Sequence, residues 1–180
     1  MIELMIVVAI VGILAVLAIY GVRKYLANAK TAEARNSLGQ ISKDQAAEYE
    51  GEHMQATVLG LGSTAAMSRA LCGKEAAMVP AAVPAGAKYQ SQPSDWNAGA
   101  ATTPPSGFAC LKFTMDAPQY YAYSFTSTGT SGNAGDTFLA SANGDLNGDK
   151  VLSTFSITGQ INTSFVLNIA PNMLEVNPEE

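Results

Sequence analysis

The stretch MIELMIVVAIVGILAVLAIYGV, residues 1–22, carries a single charge, Glu3. An ionised carboxylate inside a membrane-length apolar helix costs about 2.5 to 3.5 kcal/mol on insertion scales, so such a group is normally kept because something pairs with it. The expected partner is a cation on another chain. The plainer alternative is a charge near a membrane interface that reaches into the headgroups. Leu4 to Ile19 are sixteen uncharged, mostly aliphatic residues, and at a rise of ~1.5 Å each they span about 24 Å, slightly short of a hydrocarbon core. Met1, Ile2, Tyr20 and Val22 bring the run to spanning length. A secretory signal peptide would show a basic start, a shorter apolar stretch and a small-residue cleavage site; the run has none of the three. Gly12 and the alanines let apolar helices approach closely, so the segment is expected to pack on copies of itself.

Working outward, the helical pattern continues past the apolar run. Ala27, Ala34, Leu38, Ile41 and Tyr49 recur at multiples of the helical period, while Lys24, Asn28, Arg35, Lys43 and Asp44 fall largely elsewhere on the wheel. No proline interrupts residues 1–51, and Gly51 follows Glu50 as a stop signal. The economical reading is one helix of about 50 residues, some 75 Å long. Its first half is greasy all round, and its second half has one apolar stripe to dock on a globular domain.

The remaining ~130 residues suffice for one compact head with its own core. The chain is 48% hydrophobic, with formal net charge −5 and pI about 4.8, and the head has no basic run. A general nucleic-acid surface, which needs clustered Lys and Arg, is therefore not expected. Residues 52–107 are rich in Ala, Gly, Pro, Ser and Thr and read as a long irregular connection. One short helix is expected in it, capped by Ser63, running from Thr64 to Leu71 and ended by Gly73. After Pro104 to Gly107 the pattern turns to period two. The segments 108–115, 119–126, 137–143, 151–158 and 165–170 are strand candidates, separated by turn formers. The expected fold class is α+β: a long N-terminal helix packed against a C-terminal antiparallel sheet of four or five strands. The expected divisions are 1–24, the apolar half of the helix; 25–51, its amphipathic half; 52–107, the loop; and 108–180, the sheet, with 25–180 forming the head.

The run IELMIVVAIVGILA, residues 2–15, closely resembles the amino-terminal helix of type IV pilins and their pseudopilin relatives, and the resemblance extends from Met1 to about Ile19. Mature chains of that family begin with a methylated Phe, then Thr and an apolar residue, then Ile-Glu-Leu, so Met1 matches the third mature position. A leader peptide and two further residues would then precede Met1. The resemblance implies that the Glu3 carboxylate neutralises the amino-terminal ammonium of a neighbouring subunit and so sets register in a filament. It also implies a homopolymer, passage through the bacterial inner membrane, and dealings with a prepilin peptidase and an assembly machinery. Arg23, Lys24 and Lys30 would hold their side in the cytoplasm by the positive-inside rule; in the family, basic residues of the removed leader set orientation, which restores an extracytoplasmic head. The chain departs from the pattern at Tyr20-Gly21, where pilins usually carry proline. Glycine costs about 1 kcal/mol in a helix interior and proline about 3, so Gly12 and Gly21 are weaker points of flexibility. Tyr20 and Tyr25 also suit an aromatic belt at the membrane interface.

Cys72 and Cys110 are the only cysteines. In an exported chain a disulfide between them would close about 39 residues and contribute on the order of 4 kcal/mol, tying the loop to the first strand; free core thiols are the alternative. Its position is atypical beside the pilin disulfide that brackets a C-terminal loop. Zinc needs more ligands than these and the lone His53 supply. The loop 145–153 places Asp145, Asn147 and Asp149 at alternating positions, as in the opening of an EF-hand loop. The match stops early, with Gly148 at position 4 and Ser156 where a bidentate Glu belongs. A hairpin turn and a turn that also holds Ca²⁺ both stand. Trp96 reads as a packing anchor for the loop, and Tyr120, Tyr121, Tyr123 and Phe125 as core and sheet surface. Asn162-Thr163-Ser164 spells a glycosylation sequon within a loop. No nucleotide loop, metalloprotease helix or nucleophile elbow occurs, so an enzyme is not expected, and no cofactor is required beyond the possible Ca²⁺. Three classes follow: a structural subunit of a type IV pilus, serving motility or adhesion; a pseudopilin of a type II secretion system, favoured by a Ca²⁺ loop; and an anchored binding module that never polymerises. The third leaves the cost of Glu3 unexplained.

Overall fold

The computed structural model describes residues 2–51, 53–54, 60–62 and 67–179. Helix α1 spans Ile2–Glu50 without a break, and Gly51 N–H closes it on the Ala47 carbonyl at 3.0 Å. Residues 2–26 are exposed on every side. From there the stripe takes over: Thr31, Ala34, Leu38, Ile41, Ser42, Gln45 and Tyr49 are buried, at spacings of three and four that keep one face toward the head.

That face lies on an antiparallel sheet of five strands. Strands β3 (Tyr121–Ser127), β4 (Thr137–Gly144) and β5 (Ser153–Ile161) form a meander. Strands β6 (Leu167–Ile169) and β7 (Leu174–Val176) pair with successive lengths of the far edge of β5. Alternation sets the faces. Phe138, Ala140 and Ala142 of β4 and Phe155, Ile157 and Ile161 of β5 are buried, whereas Ser124, Ser141 and Ser156 line the other side, with the Ser124 and Ser141 hydroxyls 2.7 Å apart.

The sheet begins later than expected. Residues 108–115 are not a strand: α3 occupies Gly107–Leu111, left-handed Lys112 ends it, and the sheet starts at Tyr121. Phe108 and Leu111, three apart, are both buried, so a helical turn buries what an alternating strand would have split between two faces. The 108–180 division is therefore corrected to 121–176, with the irregular segment running to residue 120. The helix expected over 64–71 is also revised. Residues 63–66 lie outside the described residues, and Met67–Ser68 form β2, paired with β1 (His53–Met54). Two further short helical pieces, α2 (Pro93–Trp96) and a 3₁₀ turn at Ala98–Ala101, were not anticipated.

The long connection is pinned rather than loose. Val79 and Tyr123 exchange both backbone hydrogen bonds at 2.8 Å, Glu75 N–H donates to the Phe125 carbonyl, and Tyr89 pairs with Gln119, so the free edge of β3 is covered. Trp96 is the anchor beneath it. Fully buried, it meets Phe108 and Phe113 edge-on at centroid distances of 5.0 and 5.3 Å, and its indole N–H donates to Ser91 Oγ at 3.0 Å, as a buried Trp requires.

Candidate assembly surface

Fifteen large hydrophobic side chains between Ile2 and Val22 are exposed in the isolated chain, from 53% at Ile10 to 75% at Ile2. An exposed apolar surface of this extent marks a region destined for membrane, partner or both. By length and composition α1 contains one span able to cross a membrane, of mean hydropathy 3.0, none of it buried. Glu3 stands in the first turn of this half, exposed, and forms no ion pair among the described residues. A carboxylate in the first turn also faces the positive end of the helix dipole. Gly12 and Gly21 sit inside unbroken helix with open space where a Cβ would stand, so a side chain at either would meet only what packs on the helix from outside.

The amphipathic half carries polar groups that the periodicity did not single out. Glu33 is half-buried; its Oε1 accepts from Tyr120 N at 2.9 Å and from the Tyr123 hydroxyl at 3.3 Å. Burial holds its carboxyl above the ordinary carboxylate range, against the pull of those donors, and the same burial raises the Tyr123 phenol. Arg35 clamps Glu175 of β7 with two hydrogen bonds of 2.8 and 3.0 Å and lies over the Phe155 ring. The hydrogen bond from Arg35 lowers the Glu175 pKa. Gln45, fully buried, accepts the Cys72 N–H at 3.2 Å. Within a stripe defined by hydrophobicity, polar residues give no signal of the partners that satisfy them.

Cys72 and Cys110 form the disulfide, with Cα atoms 5.8 Å apart. It joins the loop to α3, not to the first strand. Buried Glu75 completes that junction: one carboxylate oxygen accepts Phe108 N–H at 2.8 Å and the other Ala76 N–H at 2.9 Å. Gly107, at φ +58°, leaves the room that this carboxylate occupies.

The loop after β4 brings Asp145, Asn147 and Asp149 into one turn. Asp145 is buried and its two oxygens accept Gly148 N–H at 2.6 Å and Lys150 N–H at 3.1 Å. Asn147 Oδ1 accepts Asp149 N–H, and the oxygens of Asp149 accept Val151 N–H and the Asn147 amide. The side-chain oxygens turn onto the loop's own donors, the usual behaviour of Asx residues in turns. Among the described residues no group of three or more His, Cys, Asp and Glu converges as a metal site would require. Gly148, at φ +82°, takes the conformation that glycine admits at no steric cost.

Compared with known protein families, curated proteins and solved structures, the chain finds no match in any of the three.

Proposed function

We propose that this chain is a polymerising structural subunit of a type IV pilus, held by α1 in the bacterial inner membrane as a monomer and bundled through the same helix in an extracellular filament. The observation that carries the reading is the division of α1: residues 2–22 are exposed and, apart from Glu3, uncharged, while residues 31–49 dock one stripe on the head. A membrane anchor alone would explain the apolar half. It would not explain Glu3, whose insertion cost calls for a neighbour's cation. The resemblance of residues 2–15 to pilin helices supports the same reading. Electron micrographs of cells with and without the gene test the proposal. Long surface fibres that vanish on deletion and return with the intact gene are expected; unchanged fibres would overturn it.

A further inference from the structure

The head has two ends along α1, distinguished by what the helix touches at each. At one end the Tyr49 hydroxyl bonds the Phe165 carbonyl. At the other, Glu33 accepts Tyr120 N–H and Arg35 bonds Glu175, so this end looks toward the apolar half of the helix. The register of the sheet puts a loop there. Gly144 pairs with Tyr121 on one side and with Ser153 on the other, so residues 145–152 leave the sheet beside Tyr120. The segment before Lys88 joins them: Gly86 N–H donates to the Asp145 carbonyl at 2.7 Å, and Ala85 forms a bridge with Asp145.

The side chains of this end form a basic rim with an apolar tip. The ammonium groups of Lys30, from α1, and Lys88, from the long connection, both stand over the Tyr120 ring, 4.9 and 4.8 Å from its centroid. Lys150 is exposed on the loop, and the next two residues are Val151 and Leu152, exposed at 44% and 39%. Among the described residues Lys30, Lys88 and Lys150 form no ion pair. Carboxylates share this end, but those of Glu33, Glu175, Glu179, Asp145 and Asp149 are each taken up by a protein donor. The three lysines are left to face outward.

We infer that this end of the head rests on the anionic headgroups of the bilayer that α1 crosses, with Lys30, Lys88 and Lys150 on the phosphates and Val151 and Leu152 dipping among them. The inference rests on the membrane anchorage proposed above and not on polymerisation. The bilayer is the partner that the chain's own apolar span brings to this end. Lys30 lies eight residues past Val22, or about 12 Å, and the headgroup layer extends roughly 5 to 8 Å beyond the hydrocarbon core. Side chains on a helix tilt toward its N-terminus, so Lys30 leans toward the membrane, and a lysine stem carries its ammonium across the remaining gap. The neck agrees. At about 100° of rotation per residue, Arg23 and Lys24 lie within about 60° of the middle of the docked stripe, on the side beneath the head. An anionic surface attracts basic groups held this close to it, and a zwitterionic one does not.

The test uses the full chain in vesicles of phosphatidylcholine, alone or mixed with phosphatidylglycerol, and measures acetylation of each lysine by a membrane-impermeant reagent with mass spectrometry. Lys43 and Lys112 are internal references, since Lys43 lies about 32 Å past Val22 along α1 and Lys112 sits beside Glu48. In the mixed vesicles, labelling of Lys88 and Lys150 relative to these two should fall by about threefold or more, and it should recover in about 1 M salt, which screens exposed charges. Equal labelling in both kinds of vesicle, protection of Lys24 alone, or equal protection of every lysine would overturn the docking. So would protection by inorganic phosphate in phosphatidylcholine vesicles, which marks a phosphate site and not a surface. Val151→Asp with Leu152→Asp, changed at exposed positions, should return Lys88 to its labelling in neutral vesicles; undiminished protection counts against the apolar tip. A chain that an alkaline wash strips from both kinds of vesicle defeats the anchorage and the docking with it, whereas a chain that stays in the bilayer without protection defeats the docking alone.

Discussion

The two halves of α1 share one backbone and have opposite surroundings. From Thr31 to Tyr49 one stripe is buried against the head, and polar groups on it reach across: Gln45 Oε1 accepts the Cys72 N–H and the Tyr49 hydroxyl donates to the Phe165 carbonyl at 2.9 Å, while Thr31 and Ser42 bond carbonyls of the helix itself. From Ile2 to Leu26 an equally regular helix is exposed all round, touched only at its end by the Lys24–Glu179 pair among the described residues. Helices of this length owe most of their stability to packing rather than to propensity. The second half is thus a component of the head, and the first is left uncovered by it.

Cutting between the halves should have the largest effect. A chain beginning at Ala27 is expected to be soluble, monomeric and cooperatively folded, whereas the full chain needs detergent or lipid; sedimentation and thermal melts decide it. Aggregation of the shortened head would show that the boundary is misplaced.

Within the head, the aromatic cluster and the disulfide are the next most costly to lose. Trp96→Ala should destabilise by about 3 to 5 kcal/mol, the usual range for a buried Trp. Cys72→Ser with Cys110→Ser should cost about 2 to 5 kcal/mol. Denaturant melts measure both, and neither change should detach the chain from membranes if the halves are independent.

A smaller effect distinguishes two carboxylates at the contact between the docked half and the head, Glu33 on α1 and Glu175 on β7. The folded state raises the Glu33 pKa, so it binds that proton more tightly than the unfolded chain does. Its contribution is fully present below the ordinary carboxylate pKa and is lost as pH rises through the raised folded value. Glu175, lowered by Arg35, has the opposite sign: its contribution is present above the ordinary value and lost as pH falls through the lowered one. Melts at pH values rising from the ordinary carboxylate value should therefore flatten for Glu33→Gln, and melts at values falling from it should flatten in the opposite sense for Glu175→Gln. The Glu175 change itself should be under about 1 kcal/mol, since its pair with Arg35 is largely exposed.

The smallest effect is expected at the Asp145 loop. A Ca²⁺ site of ~10 μM affinity would add roughly 2.7 kcal/mol at 1 mM Ca²⁺. A self-satisfied turn adds almost nothing, so the head's Tm should be the same in 1 mM Ca²⁺ and in chelator. A rise that Asp145→Ala abolishes would restore the pseudopilin reading.

Periodicity made α1 and the meander legible. The apolar residues of 27–49 repeat at the helical period, and those of β4 and β5 at period two, because each element buries a single face. The segment at 108–115 misled for the same reason: a single helical turn that buries Phe108 and Leu111 is too short to show a period. Strand β7 left no pattern because Leu174, Glu175 and Val176 are all exposed. Glu3 stood out as a charge in an oily run. Glu33, Glu75 and Arg35 did not, since their roles depend on partners 33 to 140 residues away along the chain.

The central claim is that copies of the chain cover the exposed half of α1, with Glu3 answering a neighbour's charge. Glu3→Ala tests it most directly, by measuring the membrane-bound and fibre-bound pools of the variant alongside unaltered subunits. Membrane insertion should be retained. Incorporation into fibres should fall by about tenfold or more, the equivalent of roughly 1.4 kcal/mol per contact. Fibre yield and incorporation equal to those of the unaltered chain would contradict the claim.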